Sequence, residues 1–306
     1  MTTDFANHHF GFVTLLGRPN IGKSTLLNRL VGKKVSITSH RPQTTRHRML
    51  GIRNDENRQI VFVDTPGLHS VNSKAQRKRI NQVINKTAVN SLEGVDLALL
   101  MLGADGWNEK DELPVKTLKN SGIPVIVVLN KLDKLASKND VLPIIEEINK
   151  KIECIAVVPI SALKGDNVDY LLELITNELP IEQPGFDKDQ VTDRSTQFLV
   201  SELIREQLFR LLGDELPYAT AVELQKVERL DGRLHVQADI WVDRENHKGI
   251  VIGKSGEKLK KIGSSARTQI NKLLGEKVHL ELFVKVRKGW ADSQRDLTHL
   301  GYDEGF

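Results

Sequence analysis

Eight residues near the N-terminus, Gly17-Arg18-Pro19-Asn20-Ile21-Gly22-Lys23-Ser24, have the spacing G-x-x-x-x-G-K-[ST]. Glycines at these positions let backbone N–H groups face a phosphate chain. The apolar run Gly11–Leu16 precedes the loop and the helix-forming stretch Lys23–Val31 follows it, so the positive end of a helix adds to the anion site. In such a loop Lys23 reaches the β- and γ-phosphates and the Ser24 hydroxyl ligates Mg²⁺, with Thr25 beside it. The motif specifies a nucleotide phosphate and leaves the base open.

Three further motifs follow in order. Asp64-Thr65-Pro66-Gly67 ends the strand-like run Gln59–Val63, where a carboxylate can hold the Mg²⁺ shell and the Gly67 N–H can sense a γ-phosphate. Asn130-Lys131-Leu132-Asp133 follows the run Ile123–Leu129. The Asp133 carboxylate can accept two hydrogen bonds from a guanine edge, where adenine has no equivalent donors, and the Lys131 stem can cover one face of the base. Ser161-Ala162-Leu163-Lys164 ends another run and can aim the Ala162 N–H at the guanine oxygen. Each motif alone would also suit an ordinary turn. Four in succession, each at the carboxyl end of a strand, converge on one crevice of an open α/β sheet.

Between the first two motifs, Ser39-His40-Arg41-Pro42-Gln43-Thr44-Thr45-Arg46 is polar and lacks apolar periodicity, which suits a surface loop and equally a nucleotide-sensing switch. Thr44 and Thr45 are both candidate Mg²⁺ ligands, with Thr45 slightly favoured. Leu68 occupies the place where many GTPases put a water-orienting glutamine, so unaided hydrolysis is expected to be slow. Asn20 offers a carbonyl oxygen that could ligate a monovalent cation, or it could simply brace the loop. The candidate catalytic set is therefore Asn20, Lys23, Thr44, Thr45, Asp64 and Gly67.

These residues need a scaffold that presents strand ends along one edge. Val/Ile/Leu-rich runs at Gly11–Leu16, Gln59–Val63, Val95–Leu102, Ile123–Leu129 and Ile155–Ile160 alternate with amphipathic stretches such as Asn167–Leu179, which predicts a mostly parallel α/β sheet over residues 1–180. Leu50–Arg53 and Arg58–Val63 flank the turn residues 54–57 and predict one antiparallel edge. The pattern lapses over residues 181–195, read as a linker. Residues 196–306 then run helix (Thr196–Leu212), strand (Ala219–Val227), strand (Leu234–Val242), a glycine loop, helix (to Leu274) and strand (Lys277–Val286).

That glycine loop, Ile252-Gly253-Lys254-Ser255-Gly256, is the G-x-x-G of a KH module, followed by Lys258 and Lys261. From Asn246 to Trp290 eleven Lys and Arg stand against three Glu, whereas the chain from Ile181 onward has twenty basic and twenty-one acidic residues. The positive charge is focused where a nucleic-acid backbone would pass. A solvated helix face would also account for Lys258, Lys260, Lys261 and Lys272. A second basic run, Lys74, Arg77, Lys78 and Arg79, suits helix solvation better, with a switch-linked contact surface as the alternative.

The 306 residues leave room for two domains, and a net charge of +4 is compatible with a polyanion partner. The one cysteine, Cys154, excludes an internal disulfide framework, suits a reducing compartment and is read as buried strand packing. No apolar run reaches the roughly 20 residues of a bilayer span, and the first ten residues lack a secretory layout.

GRPNIGKS, QTTR, DTPG, NKLD, VIGKSG and the segment Asp189-Gln190-Val191-Thr192-Asp193-Arg194 together resemble the bacterial Era-type GTPases over nearly the whole chain. The resemblance implies a Ras-like GTPase domain and a type II KH domain, and GTP and GDP as ligands. It also implies binding near the 3′ end of 16S ribosomal RNA, a role in 30S subunit biogenesis, and a hydrophobic residue in place of the catalytic glutamine. It turns Asn20 toward a K⁺ role and adds peripheral association with the inner face of the cell membrane. A cytoplasmic monomer is expected. Two other readings share the motifs: an RNA-binding scaffold that uses GTP structurally, and a tRNA-modification GTPase, which would need a catalytic domain for which no room remains. A stand-alone KH regulator is excluded by the first 180 residues.

Overall fold

The computed structural model describes residues 7–41, 44–66, 79–83, 92–135, 137, 140–213 and 215–302. Strands covered on both faces need unbroken apolar runs. β4 (Leu97–Gly103) and β5 (Val125–Asn130) are such strands, with every residue buried, and β1 (His9–Gly17) joins them. Together with β2 (Met49–Asp55), β3 (Arg58–Asp64) and β6 (Ala156–Pro159) they form a six-stranded sheet in the order β2-β3-β1-β4-β5-β6. Only β2 is antiparallel to its neighbour. Pairing runs out to Asp55 and Arg58, so the hairpin turn is tighter than residues 54–57 and consists of Glu56 and Asn57. Cys154 sits in the turn before β6 rather than in the strand; it is half-buried, and burial pushes its thiol up.

Helices cover both faces. α1 (Lys23–Val31) and α4 (Val168–Glu178) share a core with Val13, Leu15, Phe62 and Leu97. α2 (Glu112–Lys119) and α3 (Val141–Lys151) pack with Leu16, Leu100, Val127 and Leu129 on the other face. Leu26, Leu27 and Leu30 of α1 are wholly buried, each worth about 1.5–3 kcal/mol. That burial fixes the helix whose first residues must meet a phosphate.

The segment read as a linker is not free. The Ile52 N–H donates to the Val191 carbonyl at 2.9 Å, the Leu50 N–H to Asp193 Oδ1 at 2.8 Å, and Gly51 bridges Thr192. Gln59 Oε1 accepts from the N–H groups of Gly185 and Phe186. The stretch covers the edge of β2, whose outward backbone groups would otherwise be open.

α5 (Thr196–Leu211) starts from Ser195, whose hydroxyl oxygen accepts the Phe198 N–H at 3.2 Å. β7 (Thr220–Leu230), β8 (Arg233–Val242) and β9 (Val278–Val286) form a second sheet, antiparallel between β7 and β8 and parallel between β8 and β9. α5 and α7 (Glu257–Leu274) bury one face of it through Val200, Ile204, Leu208, Ile262, Ala266 and Ile270. The apolar residues before Gly253 close a short helix, α6 (Glu245–Ile252), which the element order read from the sequence did not include. The C-terminal segment carries α8 (Gln294–His299) and lays Trp290, Leu297 and Tyr302 over Trp241 on the opposite face, beside Ile80 and Val83 of the helical residues 79–83.

Candidate nucleotide site

The phosphate loop connects β1 to α1 by backbone that only glycine tolerates at two points. Gly17 has φ 152° and a Cβ there would lie 2.6 Å from the Met101 carbonyl oxygen. Gly22 has φ 111° and a Cβ would lie 2.3 Å from Asn130 Nδ2. Lys23 is buried and its Nζ donates to the carbonyls of Gly17 at 2.9 Å and Arg18 at 3.3 Å. Burial lowers the ammonium to about 8, partly opposed by Asp64. The Arg18 side chain points away, paired with Asp105 at 2.7 Å and Asp111 at 3.1 Å, and so braces the loop. Gly22→Ala is expected to lower nucleotide affinity at least about tenfold, since left-handed backbone alone costs a side chain roughly 1–2 kcal/mol and the Asn130 contact is lost as well; titration with a fluorescent nucleotide checks it.

Asn130 ties the NKLD and SALK loops to the Gly17–Ser24 loop. Its Nδ2 donates to the Ile21 carbonyl at 2.8 Å and its Oδ1 accepts the Ala162 N–H at 3.0 Å. Lys131 Nζ donates to the Asn20 carbonyl at 2.7 Å, and the Ser161 hydroxyl donates to Asp133 Oδ1 at 2.6 Å. Thus all three loops are joined before any base arrives. Leu132 and Asp133 are half-buried, while Leu163 is exposed and offers its carbonyl to Arg29 at 2.6 Å. Pro19 and Thr25 line the loop half-buried.

Asp64 is wholly buried at the end of β3. Its Oδ2 accepts from Ser36 Oγ at 2.8 Å and Ser24 Oγ at 3.3 Å, whereas Oδ1 has no partner. Burial raises its carboxyl, opposed by the Ser36 hydroxyl and Lys23. The Thr65 hydroxyl anchors the turn on the Leu15 carbonyl at 3.0 Å, and Pro66 is buried. The hydroxyls of Ser24 and Thr45 lie 2.9 Å apart. Adjacent ligands of an octahedral Mg²⁺ at about 2.1 Å are separated by about 3 Å, so these hydroxyls, with the unpartnered Asp64 oxygen nearby, fit that ion. Thr44 faces elsewhere: its hydroxyl meets Ser39 Oγ at 2.6 Å and donates to the Arg41 carbonyl at 2.8 Å. Asn20 is exposed at φ 60° and its amide donates to the His40 carbonyl at 2.7 Å. Gly67, Leu68, Lys74, Arg77 and Lys78 lie outside the described residues; the Arg79 N–H donates to Asp292 Oδ1 at 3.2 Å.

The second constellation lies between α6 and α7. Gly253 has φ 74° and a Cβ would press on Lys258 Cβ at 2.7 Å; Ser255 and Gly256 also have positive φ. Lys254 and Lys261 are exposed, Lys258 and Ile252 half-buried, and among the described residues none of the three lysines forms an ion pair.

Comparison with known proteins decides the family. Residues 12–131 match the family model described as 50S ribosome-binding GTPase, and residues 215–291 match the KH domain model. A GTPase Era of Stenotrophomonas maltophilia is 49% identical over 97% of this chain and 98% of its own, and one of Xanthomonas oryzae pv. oryzae is 46% identical over 99% and 100%. The chain belongs to the Era GTPase family. Two crystal structures superpose with a TM-score of 0.92 at 42% identity, covering 96% of this chain and 99% of theirs. One is an Aquifex aeolicus Era variant bound to GDP and AlF₄⁻, the other Era with MgGDPNP and nucleotides 1506–1542 of 16S ribosomal RNA. This protein is accordingly a GTPase with a Ras-like domain followed by a KH domain.

Within this family member the residues around Thr44 and Thr45 touch both domains. Ile37 is 3% exposed and packs with Val200, Leu203 and Ile204 of α5. Glu206 is fully buried and accepts from Lys34 Nζ and from the Thr38 N–H and hydroxyl. Arg46 is buried across the interface and donates to the carbonyls of Thr220 at 2.9 Å and of Pro217 and Tyr218 at 3.2 Å. His47 stacks on Tyr302 at 4.2 Å and meets Phe198 edge-on; burial lowers it to about 4, so it is neutral at neutral pH. Sequence reasoning missed Ser36, Arg46, Glu206 and Tyr302. The available signal was a run of arginine and histidine in a loop expected to be solvated.

Proposed function

We propose that the protein is a GTP-driven switch that binds the 3′-end region of 16S ribosomal RNA through its KH domain and acts in 30S subunit biogenesis. The observation that carries this reading is the position of residues 36–41 and 44–47, which contact Ser24 and Asp64 on one side and α5 and the C-terminal segment on the other. The RNA-bound relative, matched over 96% of this chain, supports the choice of small-subunit RNA. The parts are a GTPase domain over residues 1–180, a connector at 181–195 and the KH module at 196–306.

In this account Asp133 reads guanine, and Asn130 and the Ala162 N–H, bonded to each other rather than aimed at the base, hold the loops around it. Lys23 and the loop N–H groups hold the phosphates, and Ser24, Thr45 and Asp64 face Mg²⁺. The ion supplies positive charge to the β- and γ-phosphate oxygens. Thr45 orders when those phosphates are complete and releases after hydrolysis. With leucine at position 68, no side chain there can orient the attacking water, so turnover is slow. The Asn20 side-chain oxygen, at the end of the amide away from the His40 carbonyl, is a neutral donor of the kind K⁺ accepts, and we assign it that role. Lys254, Lys258 and Lys261 flank the Gly253–Gly256 turn, where RNA backbone can approach closely.

We place the protein in the cytoplasm as a monomer. Peripheral association with the inner face of the membrane rests on the family resemblance; no helix among the described residues is long and apolar enough to cross a bilayer. Crosslinking to cellular RNA with and without a nonhydrolysable GTP analogue tests the reading. Recovery of the 16S 3′ region is expected; recovery of tRNA or large-subunit RNA instead would overturn it.

A further inference from the structure

Thr45 is bracketed by two buried guanidinium groups, and both bind it to the KH side of the molecule. On one flank Arg205 of α5, 2% exposed, donates from Nη2 to the Thr44 carbonyl and pairs with Glu202 at 2.6 Å. On the other flank Arg46 donates to the carbonyls of Thr220, Pro217 and Tyr218. Both guanidinium groups lie near the Phe209 ring, at 5.3 and 5.5 Å from its centroid. The C=O of Thr44 and the N–H of Thr45 belong to one planar peptide unit and point in opposite directions. A donor holding that carbonyl therefore fixes where the Thr45 N–H points.

We propose that Arg205, carried by the first helix of the KH module, is a positioning residue of the nucleotide site. It orients the Thr44–Thr45 peptide so that the Thr45 hydroxyl stands beside Ser24 and its N–H faces the terminal phosphate. The inference rests on the reading of Ser24, Thr45 and Asp64 as the Mg²⁺ side of that site. Its consequence is that the KH module contributes to Mg²⁺ affinity without touching ion or nucleotide.

The test uses the full chain with the double substitution Glu202→Gln/Arg205→Met, which removes the contact without leaving either charge buried alone. Mg²⁺ is titrated against a fluorescent nonhydrolysable GTP analogue, and GDP affinity is measured in EDTA. The half-saturating Mg²⁺ concentration should rise about tenfold or more, as for groups that orient a ligand from outside the coordination shell, while GDP affinity in EDTA stays unchanged. A merely structural role would lower both or neither. An unaltered Mg²⁺ requirement would overturn the proposal. Ser24→Ala run alongside separates the two levels: if it too leaves the Mg²⁺ requirement unaltered, the underlying site reading fails, whereas a rise for Ser24→Ala alone fails only Arg205. Should the double variant not fold, Arg205→Lys keeps the charge beside Glu202 and loses the planar fork; a rise of about threefold is expected, and the parent value overturns the proposal.

Discussion

Replacing Asp133 with asparagine should lower GTP affinity by a factor of about 10² to 10⁴, because one hydrogen bond to a charged acceptor, worth about 1.5–3 kcal/mol, is lost and the donor it served is left unsatisfied at a further cost of about 1–3 kcal/mol. The carboxylate is oriented in advance. Ser161 holds Oδ1 at 2.6 Å, and Asn130 locks the loop to both the Ile21 carbonyl and the Ala162 N–H. An asparagine in that place presents N–H₂ to the donors of guanine, which leaves two donors facing each other. Xanthine carries a carbonyl where guanine carries its amino group, so the variant should shift its preference toward xanthine nucleotides. The shape of the side chain is kept and Asp133 is only half-buried, so thermal stability should barely change. Competition of GTP and XTP for a fluorescent nucleotide reads both effects. GTP affinity within about threefold of the parent would place base recognition elsewhere.

Thr45→Ala should slow GTP hydrolysis by a factor on the order of 10², as expected when one group that stabilises transferring phosphate charge is deleted. Thr44→Ala should cost only a few-fold. The two residues are neighbours with the same side chain, and their surroundings separate them. The Thr45 hydroxyl lies 2.9 Å from Ser24 Oγ, while the Thr44 hydroxyl is occupied by Ser39 and the Arg41 carbonyl. Deleting the latter removes loop bracing worth about 1 kcal/mol. Single-turnover hydrolysis at saturating Mg²⁺ distinguishes them, and equal losses would contradict the assignment.

The contrast between these threonines marks how far the sequence could be read. The phosphate loop, DTPG, NKLD and SALK are local patterns whose chemistry depends on a few consecutive residues at strand ends, and the strands themselves show as unbroken apolar runs. The antiparallel β2 edge was legible because Asn54–Asn57 is turn chemistry between two apolar stretches. What was hidden depends on contacts distant in the chain. Arg46 reads as a surface-loop residue and His47 carries no pattern of its own, yet they are 4% and 8% exposed because α5, the Pro217–Thr220 carbonyls and Tyr302 close over them. The DQVTDR segment carries no strand period, and its role in covering β2 follows from backbone bonds that composition does not encode. α6 escaped notice because Gly249 and a mixed polar face leave only a weak helical repeat. The segment after β9 has no legible period because Trp290, Leu297 and Tyr302 are spaced for a surface that exists only after β7, β8 and β9 assemble.

The central claim is that one loop couples the GTP site to the RNA-binding module. The most direct measurement is the affinity of the full chain for an RNA of the 16S 3′ end, taken with Mg²⁺ and a nonhydrolysable GTP analogue and again with GDP. Since coupling between sites typically amounts to about 1–3 kcal/mol, the two affinities should differ at least about fivefold. Saturating RNA should then change the affinity for the GTP analogue relative to GDP by the same factor. Equal RNA affinities in both nucleotide states would contradict the account.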